Sequence, residues 1–129
     1  MTEPKKKPKI LIIDDDVLVR ETVKIALAAA DFDAVGLESP ELAQTVIRQS
    51  KPDLILMDIY MPELGGLDLC RKLKADPETA KIPIVILTGS RETIDVMSGI
   101  YAGAFEYITK PVGGDVLINK IRSILKITP

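Results

Sequence analysis

Three consecutive aspartates, Asp14, Asp15 and Asp16, directly follow the apolar run Ile10 to Ile13, and a fourth, Asp58, directly follows Leu54 to Met57. A hydroxyl, Thr88, follows Ile84 to Leu87, and an ammonium, Lys110, closes the weaker run from Phe105 and precedes Pro111. A carboxylate placed directly after four apolar strand residues sits where desolvation is costly. Several carboxylates gathered at one edge repel unless a cation or a proton compensates, and oxygen-only donors suit Mg²⁺, which prefers six oxygens at about 2.0–2.1 Å. A hard divalent cation beside a nucleophilic carboxylate, faced by a lysine and a hydroxyl, is an arrangement for phosphoryl transfer. In it the carboxylate attacks phosphorus while ammonium and cation neutralise the equatorial oxygens.

Taken singly, each residue has an ordinary reading. Asp16 suits a helix N-cap better than a ligand role. Thr88 fits as a strand residue, and Lys110-Pro111 fits the start of a turn. It is the joint placement that points to chemistry.

The rest of the inventory narrows that chemistry. The chain has 129 residues, net charge −2, 47% hydrophobic and 28% charged residues, the balance of one soluble domain. It has no His, which excludes a Ser-His-Asp triad, His-ligated zinc and a phosphohistidine on this chain. The single cysteine, Cys70, forms no internal disulfide and implies a reducing compartment, so the expected location is cytoplasmic. The mildly acidic balance argues against direct nucleic-acid binding. The apolar run after Lys5-Lys6-Lys7 is too short for a signal peptide or a membrane span.

The elements that must position these residues alternate two periods. Runs that are apolar at consecutive positions, Ile10 to Ile13, Leu54 to Met57 and Ile84 to Leu87, suit strands buried on both faces, with Asp33 to Leu37 and Phe105 to Ile108 as weaker candidates. Between them lie helical patterns. The first, after Asp16, turns Val19, Val23, Ala26, Leu27 and Ala30 inward. The second opens on Ser39-Pro40-Glu41 as N-cap, first-position proline and early acid, with Leu42, Val46 and Ile47 inward. The third starts near Gly65-Gly66 with Leu69, Cys70 and Leu73 inward, and the fourth near Ser90 with Ile94, Met97 and Tyr101 inward. Asp115 is expected to cap the last, Val116 to Lys126.

Five such units with short loops force right-handed crossovers and helices on both faces of a parallel sheet. The expected fold is therefore α/β, a doubly wound five-stranded (βα)5 sheet of flavodoxin-like strand order 2-1-3-4-5. Ligands of such sheets bind outside the carboxyl ends of the strands, which is where Asp14, Asp15, Asp58, Thr88 and Lys110 fall.

The motifs Ile-Asp-Asp-Asp (13 to 16), Met-Asp-Ile-Tyr-Met-Pro (57 to 62) with Gly65-Gly66, Leu-Thr-Gly (87 to 89) and Tyr-Ile-Thr-Lys-Pro (107 to 111) occur in this order on the strand ends. In these the sequence resembles the receiver domain of two-component response regulators, from Lys9 to about Ile127. The resemblance implies that Asp58 is the phosphoacceptor, modified by the phosphohistidine of a sensor histidine kinase or by a phosphotransfer protein. It implies Mg²⁺ held by Asp15, by Asp14 directly or through water, by Asp58 and by the main-chain carbonyl of Tyr60. Lys110 would pair with the phosphoryl group, Thr88 would move to accept it, and Tyr107 would be the switch aromatic. Gly89 stands where the family commonly has alanine, and Tyr60 and Ser90 would line the path of water to the phosphoryl group.

The same resemblance makes the chain a signalling domain rather than a turnover enzyme, with a downstream protein target on the face of the fourth helix, fifth strand and fifth helix. Other classes fit less well. A flavodoxin-type carrier needs a hydroxyl-rich phosphate loop where the three aspartates stand, and the P-loop pattern is missing. A haloacid-dehalogenase-type phosphatase usually carries a second Asp where Tyr60 stands, and an adaptor with a degenerate site would accept no phosphoryl group. The expected organisation is a basic tail over residues 1–8, a receiver domain over 9–127, and a tail or linker start over 128–129. Such a receiver either stands alone or is cut from a longer protein.

Overall fold

A strand that is apolar at four consecutive positions needs a layer of helix on each side, and three such strands lie at the centre of this sheet. The computed structural model describes residues 7–39, 41–58, 66–88, 103, 106–109 and 113–126. Within them the chain forms β1 (Lys9–Ile13), α1 (Val17–Ala29), β2 (Asp33–Leu37), α2 (Ala43–Ser50), β3 (Leu54–Asp58), α3 (Gly66–Ala75), β4 (Ile84–Thr88), β5 (Glu106–Thr109) and a C-terminal helix (Gly114–Leu125). All strand pairs are parallel, in the order β2-β1-β3-β4-β5, as the sequence predicts.

Side chains alternate across a strand, and the alternation divides the interior into two cores. Leu11, Ile13, Ile55, Met57, Ile84 and Ile86 face α2 and α3, where Ala43, Ile47, Leu69, Cys70 and Leu73 are buried. Ile10, Ile12, Leu54, Leu56, Val85, Leu87 and Ile108 face α1 and the C-terminal helix, meeting Val23, Leu27, Leu117, Ile118 and Ile121. Burying each large aliphatic side chain contributes about 1.5–3 kcal/mol. The two weakest apolar runs, β2 and β5, are the two edges, which need less burial.

The helix ends depart from expectation in two places. α2 begins at Ala43, with Leu42 at the N-cap and no side-chain cap bond, so Ser39 does not cap it. Leu42 is exposed and Ala43 buried instead, because Ala43 and Ile47 share a face at i, i+4. The C-terminal helix is capped by Gly113, which places Asp115 inside the first turn, where a carboxylate still complements the helix dipole. Among the described residues the last strand is Glu106–Thr109, ending one residue past the expected Ile108. Pro40, Phe105 and the helix expected from Ser90, with Ile94, Met97 and Tyr101, lie outside the described residues.

The connections at the amino ends of the strands are tied by hydrogen bonds. Thr79 Oγ1 donates to the Leu73 carbonyl at 2.6 Å, and Lys74 Nζ donates to the carbonyls of Ala80 at 3.0 Å and Ile82 at 2.7 Å. Burial holds the Lys74 ammonium below the usual lysine range. Gly103, at φ 106°, sits where an added Cβ would meet Lys74 Cγ at 2.6 Å, so only glycine fits both the backbone and the space.

Candidate functional site

Parallel register builds the site. Ile13 pairs with Met57, so Asp14, directly after β1, comes beside Asp58, the last residue of β3. Asp58 pairs with Leu87, which sets Thr88 one step further along the same rim, and Thr88 pairs with Thr109. Asp14 and Asp58 are buried, Asp15 is exposed, and carboxylate oxygens of the three lie within 4.8 Å of one another.

The three consecutive aspartates divide the work of this loop. Asp14 donates its N–H to the Leu37 carbonyl at 3.1 Å, tying the loop to β2. Its Oδ1 accepts the Asp16 N–H at 2.9 Å, the short-range bond by which an Asp bends the backbone into a turn. Asp16, in extended conformation, then caps α1 through Oδ1, accepting from Leu18 at 2.9 Å and Val19 at 3.4 Å. Its expected cap role is therefore seen. Asp15, between the turn and the cap, takes neither of those parts and extends to the exposed side of the acidic group.

The donor set is entirely hard oxygen. Three like charges so close repel, and a cation relieves the repulsion. The described residues fit Mg²⁺ and suit Zn²⁺ poorly: the chain has no His, and Cys70 is buried in α3, its thiol pushed up by burial. Tyr107 stands on β5 at 37% exposure. Tyr60, Gly89, Ser90 and Lys110 lie outside the described residues.

One participant was not singled out from the sequence. Arg20, in the first turn of α1, donates from Nη1 to the main-chain carbonyl of Asp14 at 2.7 Å. The available signal was an anomaly of charge, since the helix dipole disfavours a cation at a helix start.

Comparison with known proteins gives a consistent picture. The family model described as the response regulator receiver domain matches residues 10–122. The DNA-binding response regulator MtrA of Mycobacterium tuberculosis is 37% identical over 120 residues, covering 93% of this chain and 51% of that protein. The chain thus spans about half the length of the curated relatives it matches. Among solved structures, a response regulator described as putative from Chloroflexus aurantiacus superposes with TM-score 0.90 at 30% identity, covering 94% of this chain and 99% of that one. The BeF3-activated N-terminal receiver domain of Klebsiella pneumoniae RstA superposes with TM-score 0.85 at 33% identity, covering 92% and 98%.

Proposed function

This chain belongs to the response regulator receiver domain family, and on that premise we propose that it accepts a phosphoryl group on Asp58 in a Mg²⁺-dependent reaction and signals by changing its protein contacts. The observation that carries the reading is the Asp58 carboxylate at the end of β3 with carboxylate oxygens of Asp14 and Asp15 within 4.8 Å. The donor is the phosphohistidine of a sensor histidine kinase or a phosphotransfer protein. An Asp58 oxygen attacks phosphorus, a P–O bond forms, the P–N bond breaks, and the imidazole leaves with the electron pair and takes a proton from solvent. Asp14, Asp15, Asp58 and the Tyr60 carbonyl would hold Mg²⁺, which when bound would neutralise charge on the phosphoryl oxygens.

The chain's own residues do the rest. Asp58 starts buried, 7% exposed, at the end of β3, where little solvation is left to lose before attack. Lys110 pairs with the phosphoryl group, and Thr88 donates its hydroxyl to it. Movement of Thr88 opens space for Tyr107, which turns from its exposed position inward, a two-state change biased by the modification. The output surface is the face formed by the segment after Thr88, β5 and the C-terminal helix, and it meets a protein. Net charge −2 favours a protein over nucleic acid as the partner of these residues. The DNA binding in MtrA's name is a property of that longer protein. The cytoplasm is the compartment that suits this chemistry, and no described helix is long and apolar enough to cross a membrane.

The test is incubation with acetyl phosphate and MgCl2, read by intact-protein mass. One phosphoryl group is expected on the parent and none without the cation. No uptake under either condition would instead describe an adaptor with a silent site.

A further inference from the structure

We propose that Arg20 is a positioning residue for cation binding at the acidic rim; the proposal rests on the reading of Asp14, Asp15 and Asp58 as a Mg²⁺ site. The carbonyl that Arg20 Nη1 holds at 2.7 Å belongs to the peptide joining Asp14 to Asp15. Fixing that peptide plane fixes the direction in which Asp15 leaves the turn. The Asp14 N–H is bound to Leu37 at 3.1 Å and Oδ1 is bound by the Asp16 N–H at 2.9 Å, and the Arg20 bond adds a further constraint on the same residue. Together they hold the turn that keeps the Asp14 and Asp15 carboxylate oxygens within 4.8 Å of each other and of Asp58.

The stem of Arg20 has its own support. Gly36 of β2, paired with Ile12, leaves open the place where a Cβ would lie 3.4 Å from Arg20 Cδ and 3.8 Å from Arg20 Cβ. A methyl group fits there as an ordinary contact. A branched side chain would add atoms between the stems of Arg20 and Lys24, whose Cδ lies 3.6 Å from the same place, and is expected to shift the guanidinium off the Asp14 carbonyl.

Position and charge predict opposite signs. A cation near an acidic site weakens binding of a second cation by repulsion, so if Arg20 acted only as a charge its removal would tighten Mg²⁺ binding. If it positions the loop, removal loosens binding, because outer residues that orient ligands typically contribute about 10–100-fold in metal affinity.

The experiment is calorimetric titration with MgCl2 of the parent, Arg20→Met, Arg20→Lys, Gly36→Val and Asp15→Ala, with denaturation midpoints in EDTA measured alongside. Arg20→Met keeps the apolar stem and is expected to weaken Mg²⁺ binding about tenfold, and Arg20→Lys to recover part of the loss through a single donated bond. Gly36→Val keeps the charge and adds a residue that strands favour, so it stays folded and weakens binding as well. The Mg²⁺ concentration giving half-maximal phosphorylation by acetyl phosphate rises in step. Unchanged or tighter binding in Arg20→Met overturns the proposal, as does a lowered midpoint with unchanged affinity, which is what a purely structural arginine gives. If the parent itself binds no Mg²⁺, the metal site fails. If the parent binds it and Asp15→Ala loses it while Arg20→Met does not, only the role of Arg20 fails.

Discussion

At the amino ends of the strands, charge is matched locally. Lys9 donates its main-chain N–H to Asp53 Oδ2 at 2.8 Å and its Nζ to the Ser50 carbonyl at 2.9 Å. Arg48 meets Asp76 at 2.7 Å and Glu78 at 3.4 Å. At the carboxyl ends of the same strands, three carboxylates crowd within 4.8 Å. Both rims rest on the same two cores, so packing does not account for the difference. The connections leading into the strands pair opposite charges, and those leaving the strands bring three carboxylates together, the group to which the proposed function assigns the cation.

The sharpest way to break this comparison is at Asp58. Asp58→Asn keeps the shape but replaces one accepting oxygen by an NH2 donor and removes the nucleophilic charge, so phosphoryl uptake from acetyl phosphate should vanish altogether. Intact mass of the treated variant checks it, and stoichiometric modification would refute the assignment.

Next in size is a core change between the rims. Leu73, buried in α3 against the face of Leu11 and Ile55, should cost about 2–5 kcal/mol of stability on replacement by Ala. Urea denaturation measures it. Mg²⁺ affinity of the folded variant should match the parent, because the cavity lies away from the acidic rim.

Asp15→Ala should weaken Mg²⁺ binding roughly a hundredfold, about 2.7 kcal/mol, by removing a ligand. Without Mg²⁺ the same variant should be at least as stable as the parent, since it loses one of three repelling charges and an exposed side chain. Thermal denaturation in EDTA tests this, and a clear loss of stability would show that the carboxyl rim is built for stability after all.

The smallest effect belongs to the opposite rim. The Arg48 guanidinium, then the Glu78 N–H, hold the Asp76 carboxyl below the usual aspartate range. A lowered folded pKa contributes stability above the unfolded value that disappears as pH falls through the folded one. Asp76→Asn should therefore lower the denaturation midpoint slightly near neutral pH and match the parent in strong acid. The pair is exposed, so the shift should be far below that of Leu73→Ala. An equal difference at every pH would assign the effect to packing instead.

Much of this architecture is legible in the residues themselves. The three central strands announce themselves because burial on both faces demands apolar side chains at consecutive positions, four in each. Edge strands are fainter: Asp33–Leu37 carries an exposed Asp and a Gly, and Glu106–Thr109 begins with a charge. Ser39-Pro40-Glu41 reads as a helix start by local preference, yet α2 waits until Ala43 because the inner face is set by Ala43 and Ile47 against β-strand residues. Asp16 as a cap was readable, since capping depends only on its own neighbours. Arg20 was not, because its bond to the Asp14 carbonyl depends on how α1 lies across β1 and β2.

The sequence by itself determined the order and kind of elements, the aspartates at the strand ends, and the hard-oxygen character of any cation site, because these follow from local periodicity and side-chain chemistry. Only the tertiary structure decided that Ile13 stands opposite Met57. Register between parallel strands is set by the crossover helices packing on both faces, over separations that no local pattern spans. A slip of one residue would turn each core side chain to the wrong face, and it would also part Asp14 from Asp58.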